Sequence, residues 1–224
     1  MPEDRRVLVI DVGGTHVKLL ASGRRVPSRF DSGPRMTPAA MVAGVQAATA
    51  DWTFDVIAMG YPGPVVKGTP AREPFNLGKG WVKFRFAQAF ECPVRIVNDA
   101  AMQALGGYRG GRTLFLGLGT GLGSALVVEG QLQPLELAHL PYRKGRTFED
   151  YIGDAGLKRL GERHWRKHVI DVAERLRAAM QVDSVLLGGG NARLLKAHRA
   201  MLPKGTRLGS NADAFRGGMR LWAR

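Results

Sequence analysis

The sequence predicts an α/β protein built from two similar lobes, a duplicated unit with a cleft between its halves. Two observations carry this. The segments VLVIDVGGTHVKLL, starting at Val7, and TLFLGLGTGLGSALVV, starting at Thr113, share one design: an apolar strand, a Gly/Thr turn and a second apolar strand. One lies in each half of the 224-residue chain, and such repetition marks a duplicated supersecondary unit. Short apolar runs also alternate with helical patterns along the chain, without a low-complexity linker. Lobes over 1–103 and 104–224 are expected.

The elements follow in order. Val7 to Asp11 is a strand, and Val17 to Ala21 returns beside it. Thr37 to Trp52 reads as a helix, with Thr37 at the N-cap and Pro38 at the first helical position. Val56 to Met59 is a short buried strand. Gly60 to Gly80 holds five Gly and four Pro and reads as a loop. Phe84 to Glu91 reads as helical. Val94 to Val97 is a strand running into a helix that Asn98 can cap. Thr113 to Leu118 and Ser124 to Glu129 flank the second glycine turn. The last third reads as mostly helical, broken by a strand at Ser184 to Leu187 before Gly188-Gly189-Gly190.

Composition narrows the class. Lys and Arg number 33 against 19 Asp and Glu, a formal charge of +14. The excess sits mainly in residues 141–224, with 18 basic and 8 acidic side chains, and it favours polyanions. Cys92 is the only cysteine, which excludes an intrachain disulfide and a multi-cysteine zinc site. The longest apolar run, Leu114 to Val128, is broken by four glycines and is too short to span a bilayer. Met1 to Arg6 is charged and mixed in sign, unlike a signal peptide. A cytoplasmic protein without membrane partners is expected.

Three glycine clusters carry the chemistry. In the first, Gly13, Gly14 and Thr15 follow Asp11 and offer consecutive backbone N–H groups with no side chain over them, an anion cradle. Thr15 adds a hydroxyl and Lys18 a positive charge, and the Asp11 carboxylate can hold Mg²⁺ or its water. The second turn repeats the device with Thr120 and Gly121. In the third, Gly188, Gly189 and Asn191 follow a strand and open a helix, a place for phosphate or a nucleotide. One such run is satisfied by a tight hairpin alone; three, each ending an apolar strand, point to a shared ligand. Neither the P-loop spacing nor G-x-G-x-x-G occurs in these runs, which argues against a P-loop kinase and a Rossmann dehydrogenase.

The ordered motifs IDVGGTHVKL, GYPGPV, NLGKGW, VNDA, GLGTGLGSAL and LLGGGNARLLK resemble those of ROK-family sugar kinases, which have the two-lobed actin/hexokinase-like (ribonuclease H-like) fold. LELAHLPYRKGRTFEDYIG, HWRKHVIDV and RLGSNADAFRGGMRLW are similar to the polyphosphate glucokinase branch. The resemblance covers nearly the whole chain. It implies a hexose substrate, phosphorylated at its 6-hydroxyl, with polyphosphate, ATP or both as donor and Mg²⁺ as cofactor. It implies Asp99 as general base, and Asn76, Asn98, Glu136, His139 and Glu149 as sugar contacts alongside it. Gly13, Gly14, Thr15 and Lys18 would form the first phosphate loop, Thr120 and Gly121 the second, and Gly188, Gly189 and Asn191 the nucleotide side. The C-terminal helix would pack back on the N-terminal lobe.

Two departures stand out. Many ROK kinases bind zinc through a cysteine cluster, which this chain lacks, so no zinc is expected. Where the family shows Glu-x-Gly-His, Ala138 replaces the glycine; if that position needs positive φ, alanine is strained there. Lys158, Arg159, Arg163, Arg166 and Lys167, with His164 and His168, are expected to form a basic helical face that holds polyphosphate, although a solvated face explains the same composition. Two rival readings are a sugar-responsive DNA-binding regulator and a catalytically silent sugar-binding relative. ROK repressors carry a helix-turn-helix ahead of the hairpin, which here starts at Val7, so nucleic acid is not expected. The resemblance implies a homodimer, with no seam legible.

Overall fold

The computed structural model describes residues 5–210 and 212–223. The sequence readings on Met1 to Asp4 and on Asn211 lie outside the described residues. The chain divides into two compact units, Met1–Met102 with Ala214–Arg224, and Gln103–Asp213.

The first unit is built on β1 (Val7–Val12), β2 (His16–Ala21), β3 (Ser28–Asp31), β4 (Val56–Tyr61) and β7 (Val94–Asn98). Helix α1 (Pro38–Ala48) lies between β3 and β4 in sequence, the short hairpin β5 (Val65–Val66) and β6 (Thr69–Pro70) follows β4, and the single turn α2 (Phe86–Ala89) precedes β7. The sheet order is β3-β2-β1-β4-β7, antiparallel from β1 to β3 and parallel from β1 to β7. Alternation along β1 sends Leu8, Ile10 and Val12 into one core with Met41, Val45 and Trp81. Val7 and Val9 enter another core with Met102, Ala214 and Phe215. Helix α6 (Asp213–Trp222) covers that second face. Gly218 lets it close onto Val9, where a Cβ would come within 2.4 Å, and Trp222 Nε1 donates to the Ile57 carbonyl at 3.0 Å.

The second unit repeats the plan. Its strands are β8 (Arg112–Leu118), β9 (Leu122–Val128), β10 (Gln131–Leu135), β13 (Ser184–Gly188) and β14 (Thr206–Leu208), in the order β10-β9-β8-β13-β14. The first three are antiparallel and the last three parallel, the same arrangement as in the first unit. The hairpin β11 (Pro141–Arg143) and β12 (Arg146–Thr147) leads into α4 (Phe148–Ile152) and α5 (Asp154–Ala179). Trp165, Val169, Val172, Ala173 and Leu176, at helical spacing on α5, bury against Leu114, Leu116, Val185 and Leu187. Helix α3 (Asp99–Gly107) carries the chain from the first unit into the second.

Several sequence expectations are revised. Helix α1 has the expected Thr37 cap, whose hydroxyl accepts from Ala40 N at 3.2 Å, but stops at Ala48 rather than Trp52. There the Thr49 hydroxyl turns back onto the Val45 carbonyl at 2.8 Å. The helix expected over Phe84 to Glu91 shrinks to α2, and Glu91 follows it at φ 54. The Gly60 to Gly80 loop contains the β5–β6 hairpin. Strands β3, β10, β11, β12 and β14 were not anticipated. Three hairpins turn on a residue-glycine pair with both members at positive φ: Lys67-Gly68, Glu129-Gly130 and Lys144-Gly145. That is what the two-residue turn matching strand twist requires.

Candidate active site

In the first unit, the carboxyl ends of three parallel strands gather the charged groups. Register sets Asp11 on β1 beside Gly60 on β4, and Gly60 beside Val97 on β7, two residues before Asp99. A side chain at position 60 would meet Met102 Cε at 2.4 Å and Asp99 Cα at 3.5 Å, so glycine there lets helix α3 start close to the sheet. Asp11 pairs across the hairpin with Lys18, whose Nζ lies 3.3 Å from Asp11 Oδ2.

Asp99 opens α3, and its Oδ1 accepts from Ala100 N at 2.8 Å. The side chain is only partly covered at its surface, yet protein crowds around it. Its pKa is pushed from an ordinary 3.8 up to about 7, chiefly by desolvation and then by the Asp11 charge, against the pull of the Ala100 amide and Lys18. A carboxyl with that affinity for protons is matched to proton transfer near neutrality.

Asn98 Oδ1 accepts from Ala100 N at 3.0 Å and Ala101 N at 3.3 Å, capping α3 as its sequence suggested. Its Nδ2 donates to the Gly63 carbonyl at 3.0 Å. The amide is thus largely committed within the chain, leaving one N–H for a ligand. In the first glycine turn, Gly13 N donates to His16 O at 3.0 Å, and Ser32 Oγ donates to Gly13 O at 2.6 Å. Gly14 faces Asn76, whose Cβ would lie 2.9 Å from a Cβ placed there. Asn76 and Thr15 are both exposed. Sequence reasoning missed Glu73, which shapes the segment bearing Asn76. Its Oε2 accepts from Gly80 N at 3.0 Å and Trp81 N at 3.1 Å. A lone acid before a Gly-rich run that needs acceptors was the available signal.

In the second unit, the glycine turn between β8 and β9 gathers another group. Glu149 Oε2 accepts from Leu122 N at 2.9 Å and lies where a Gly121 Cβ would come within 2.4 Å. Asp154 N donates to Gly119 O at 3.0 Å, and Asp154 Oδ1 accepts from Asn191 Nδ2 at 2.5 Å. Asp154 was missed; its place just after Gly153, at the start of α5, was the clue. Gly189, at φ +81, approaches the Leu118 backbone so closely that a Cβ would lie 2.5 Å from its carbonyl oxygen. The helix expected after Gly188 is a 3-10 segment, Gly190–Met201. Thr120, Gly121, Glu149, Gly189 and Asn191 are therefore brought together, and Gly188 reaches the same edge in register with Gly117.

Glu136 and His139 are exposed on the segment after β10. That segment is tied down by Leu137 N donating to Ser124 Oγ (3.1 Å) and Glu149 N donating to Ala138 O (3.0 Å). Ala138 is buried and is not among the residues at positive φ, so the strain considered for a non-glycine residue does not arise.

The continuous basic face expected on α5 is corrected. Gly161, at φ 72 and ψ 159, breaks the helix between Arg159 and Arg163. Arg159 folds back, donating to the Asp150 carbonyl at 2.6 Å over the Tyr151 ring. Arg166 is largely covered and lies 3.3 Å from Glu162. Lys158, Arg163 and Lys167 remain exposed.

For Mg²⁺, no group of three or more His, Cys, Asp or Glu side chains gathers among the described residues. The donor set still fits this ion, which keeps several waters and takes one or two carboxylates plus phosphate oxygens. Asp11, mostly covered and already coupled to Asp99, is the carboxylate available for it. No helix of the described residues is long and apolar enough to cross a membrane.

No family model matches the chain, and no curated protein sequence does. Solved structures match over nearly its whole length. An inorganic polyphosphate/ATP-glucomannokinase from Arthrobacter sp. strain KM superposes with a TM-score of 0.83 at 20% identity, covering 98% of this chain and 99% of that one. A ROK family glucokinase from Streptomyces griseus, solved with glucose and AMPPNP, gives 0.72 at 17% identity over 96% and 98%. A ROK hexokinase from Thermus thermophilus gives 0.67 at 19% identity over 95% and 96%. The structural neighbours are ROK-family sugar kinases, and the chain has their actin/hexokinase-like α/β fold.

Proposed function

We propose that this chain is a sugar kinase that transfers a phosphoryl group to the 6-hydroxyl of glucose or a close hexose, from inorganic polyphosphate, ATP or both. The observation that carries the reading is Asp99, a carboxyl pushed up to about 7 at the carboxyl end of β7, beside the Asp11–Lys18 pair, in a chain with the fold of ROK kinases. A primary alcohol is a weak nucleophile. Asp99, deprotonated, takes its proton as the oxygen attacks phosphorus and the donor's bridging P–O bond breaks, releasing ADP or a polyphosphate one unit shorter; Asp99 is left as the neutral acid that its surroundings favour.

Glu136, His139, Glu149, Asn76 and the free N–H of Asn98 are assigned to the sugar hydroxyls, each of which needs both a donor and an acceptor. The backbone N–H groups of Gly14, Thr15, Thr120 and Gly121 are assigned to the donor's phosphates, with Lys18 supplying positive charge; the Gly13 N–H is spent on the His16 carbonyl, so Gly13 serves by its bare Cα. Gly188, Gly189 and Asn191 are assigned to the nucleotide. Magnesium, held through donor oxygens and Asp11, would supply neutralisation of the charge on the transferred phosphoryl group. Polyphosphate as donor is supported by the +14 charge and by the shared fold with the polyphosphate/ATP-glucomannokinase from Arthrobacter. Lys158, Arg163 and Lys167 are the α5 side chains still free to hold such a chain. A cytoplasmic homodimer completes the proposal, by the resemblance alone.

The test is a coupled assay crossing a hexose panel with ATP and polyphosphate over a salt series. Turnover with glucose, and a polyphosphate rate that falls steeply with salt, are expected. No turnover with any hexose overturns the kinase reading, and turnover with ATP alone removes the polyphosphate part.

A further inference from the structure

The second unit holds a cluster of cations that the proposed chemistry does not use. A cavity of about 300 Å³ is lined by Arg109, Arg199, Leu202, Thr206, Arg207 and Leu208. Three of the six are arginines, and none is acidic. Arg109 lies before β8, Arg199 closes the 3-10 segment, and Thr206 and Arg207 belong to the edge strand β14. Arg207 Nη2 and Thr206 Oγ1 are shielded from solvent, and neither has a hydrogen-bond partner among the described residues.

This is an expensive arrangement to leave empty. A guanidinium stays charged in proteins, and a covered N–H without an acceptor loses its hydration for nothing. Burial and the Arg109 charge both press Arg207 below its ordinary pKa. Asp213, the acid whose charge opposes them, already accepts from Ser210 N at 2.6 Å through Oδ2. What the cavity lacks is an anion with several acceptor oxygens. A phosphoryl group supplies this: two oxygens match a guanidinium fork, and a third accepts from a hydroxyl, once the covered Arg207 Nη2 and Thr206 Oγ1 turn into the cavity.

We infer that Arg109, Arg199, Arg207 and Thr206 form a binding site for a phosphoryl anion, taken either as free inorganic phosphate or as a segment of a polyphosphate chain. The choice of phosphate over other oxyanions rests on the kinase reading; the presence of an anion site does not.

The experiment measures melting and calorimetric binding of the full chain without sugar, at low salt, with inorganic phosphate, tripolyphosphate or long-chain polyphosphate. Wild type is compared with Arg207→Gln and with Arg109→Gln, an exposed position whose substitution leaves the fold intact. Phosphate bound elsewhere contributes equally to all three, so the difference reports this site. Both variants should bind phosphate about tenfold or more weakly. In anion-free buffer Arg207→Gln should melt no lower than wild type, because it removes a partly covered guanidinium whose Nη2 has no acceptor. Tighter binding of the long chain than of phosphate, lost in the variants, identifies polyphosphate as the source; equal affinity per phosphate identifies the free ion. Unchanged phosphate affinity in both variants overturns the inference whether or not the chain phosphorylates sugar. So does a melting temperature for Arg207→Gln clearly below that of wild type in anion-free buffer.

Discussion

Replacing Asp99 by Asn should remove catalysis and stabilise the protein. Asn keeps the shape and the acceptor for Ala100 N, but it cannot ionise. In wild type the folded-state pKa stands near 7 against an ordinary 3.8, a difference of about three units. At roughly 1.36 kcal/mol per unit, holding the ionised carboxylate in the folded protein costs up to about 4 kcal/mol. The sign follows from proton uptake. Below pH 3.8 the group is neutral in both folded and unfolded chains and costs nothing. Between 3.8 and 7 the folded state binds the extra proton, so wild-type stability falls as pH rises; above 7 the full cost is present. Asp99→Asn should therefore melt up to roughly 8–16 °C above wild type at pH 8, using ~2–4 °C per kcal/mol for a chain of this size, with the gap closing toward pH 4. The assay is a pair of melting series in EDTA, without sugar or phosphate, so that no bound cation relieves the carboxylate. Turnover should fall by about 10²–10⁴-fold while sugar binding survives. A variant no more stable than wild type at pH 8, or a gap that does not change with pH, would refute the desolvated-base reasoning. Near-normal turnover would remove Asp99 from the chemistry.

Three further outcomes are expected. Asp11→Asn removes the second largest cause of the raised Asp99 pKa, so the acid limb of the kcat/KM profile, near pH 7 in wild type, should move down by about one unit while desolvation keeps it above 3.8; an unmoved limb means the two carboxylates are not coupled. Gly121→Ala drives a Cβ into Glu149 Oε2 and disturbs the bond from Leu122 N, so the sugar KM should rise about tenfold with less than ~1.5 kcal/mol lost in urea unfolding; an unchanged KM would free Glu149 from the sugar site. Gly189→Ala combines positive φ with a backbone clash at Leu118, and urea unfolding should show a loss of about 2–3 kcal/mol.

Legibility followed the physics of each signal. The long apolar strands β1, β4, β8 and β13 were readable because burial on both faces demands continuous apolar residues. Strands β3, β10 and β14 escaped because edge strands mix polar and apolar residues: SRFD, QLQPL and TRL carry no clean alternation. The hairpins β5–β6, β9–β10 and β11–β12 escaped because Lys-Gly and Glu-Gly are weaker turn signals than Asn-Gly. Asp11 and Lys18 were each nameable from their places around the first glycine turn, though not as an ion pair, and Asp99 was nameable from its motif. That Asn98 is mostly occupied with capping, and that Arg159 and Arg166 are committed within the chain, depend on rotamers and on the Gly161 break. No count of basic residues contains those.

The two sheets share a strand order, yet their hairpins differ at one matching step. Counting back one pair from the last paired residues, Asp11 faces Lys18 in the first unit, whereas Gly117 faces Gly123 in the second. One hairpin carries a pair of opposite charges; its counterpart presents bare main chain. An anion at the first turn meets a lysine and a carboxylate; an anion at the second meets main chain alone.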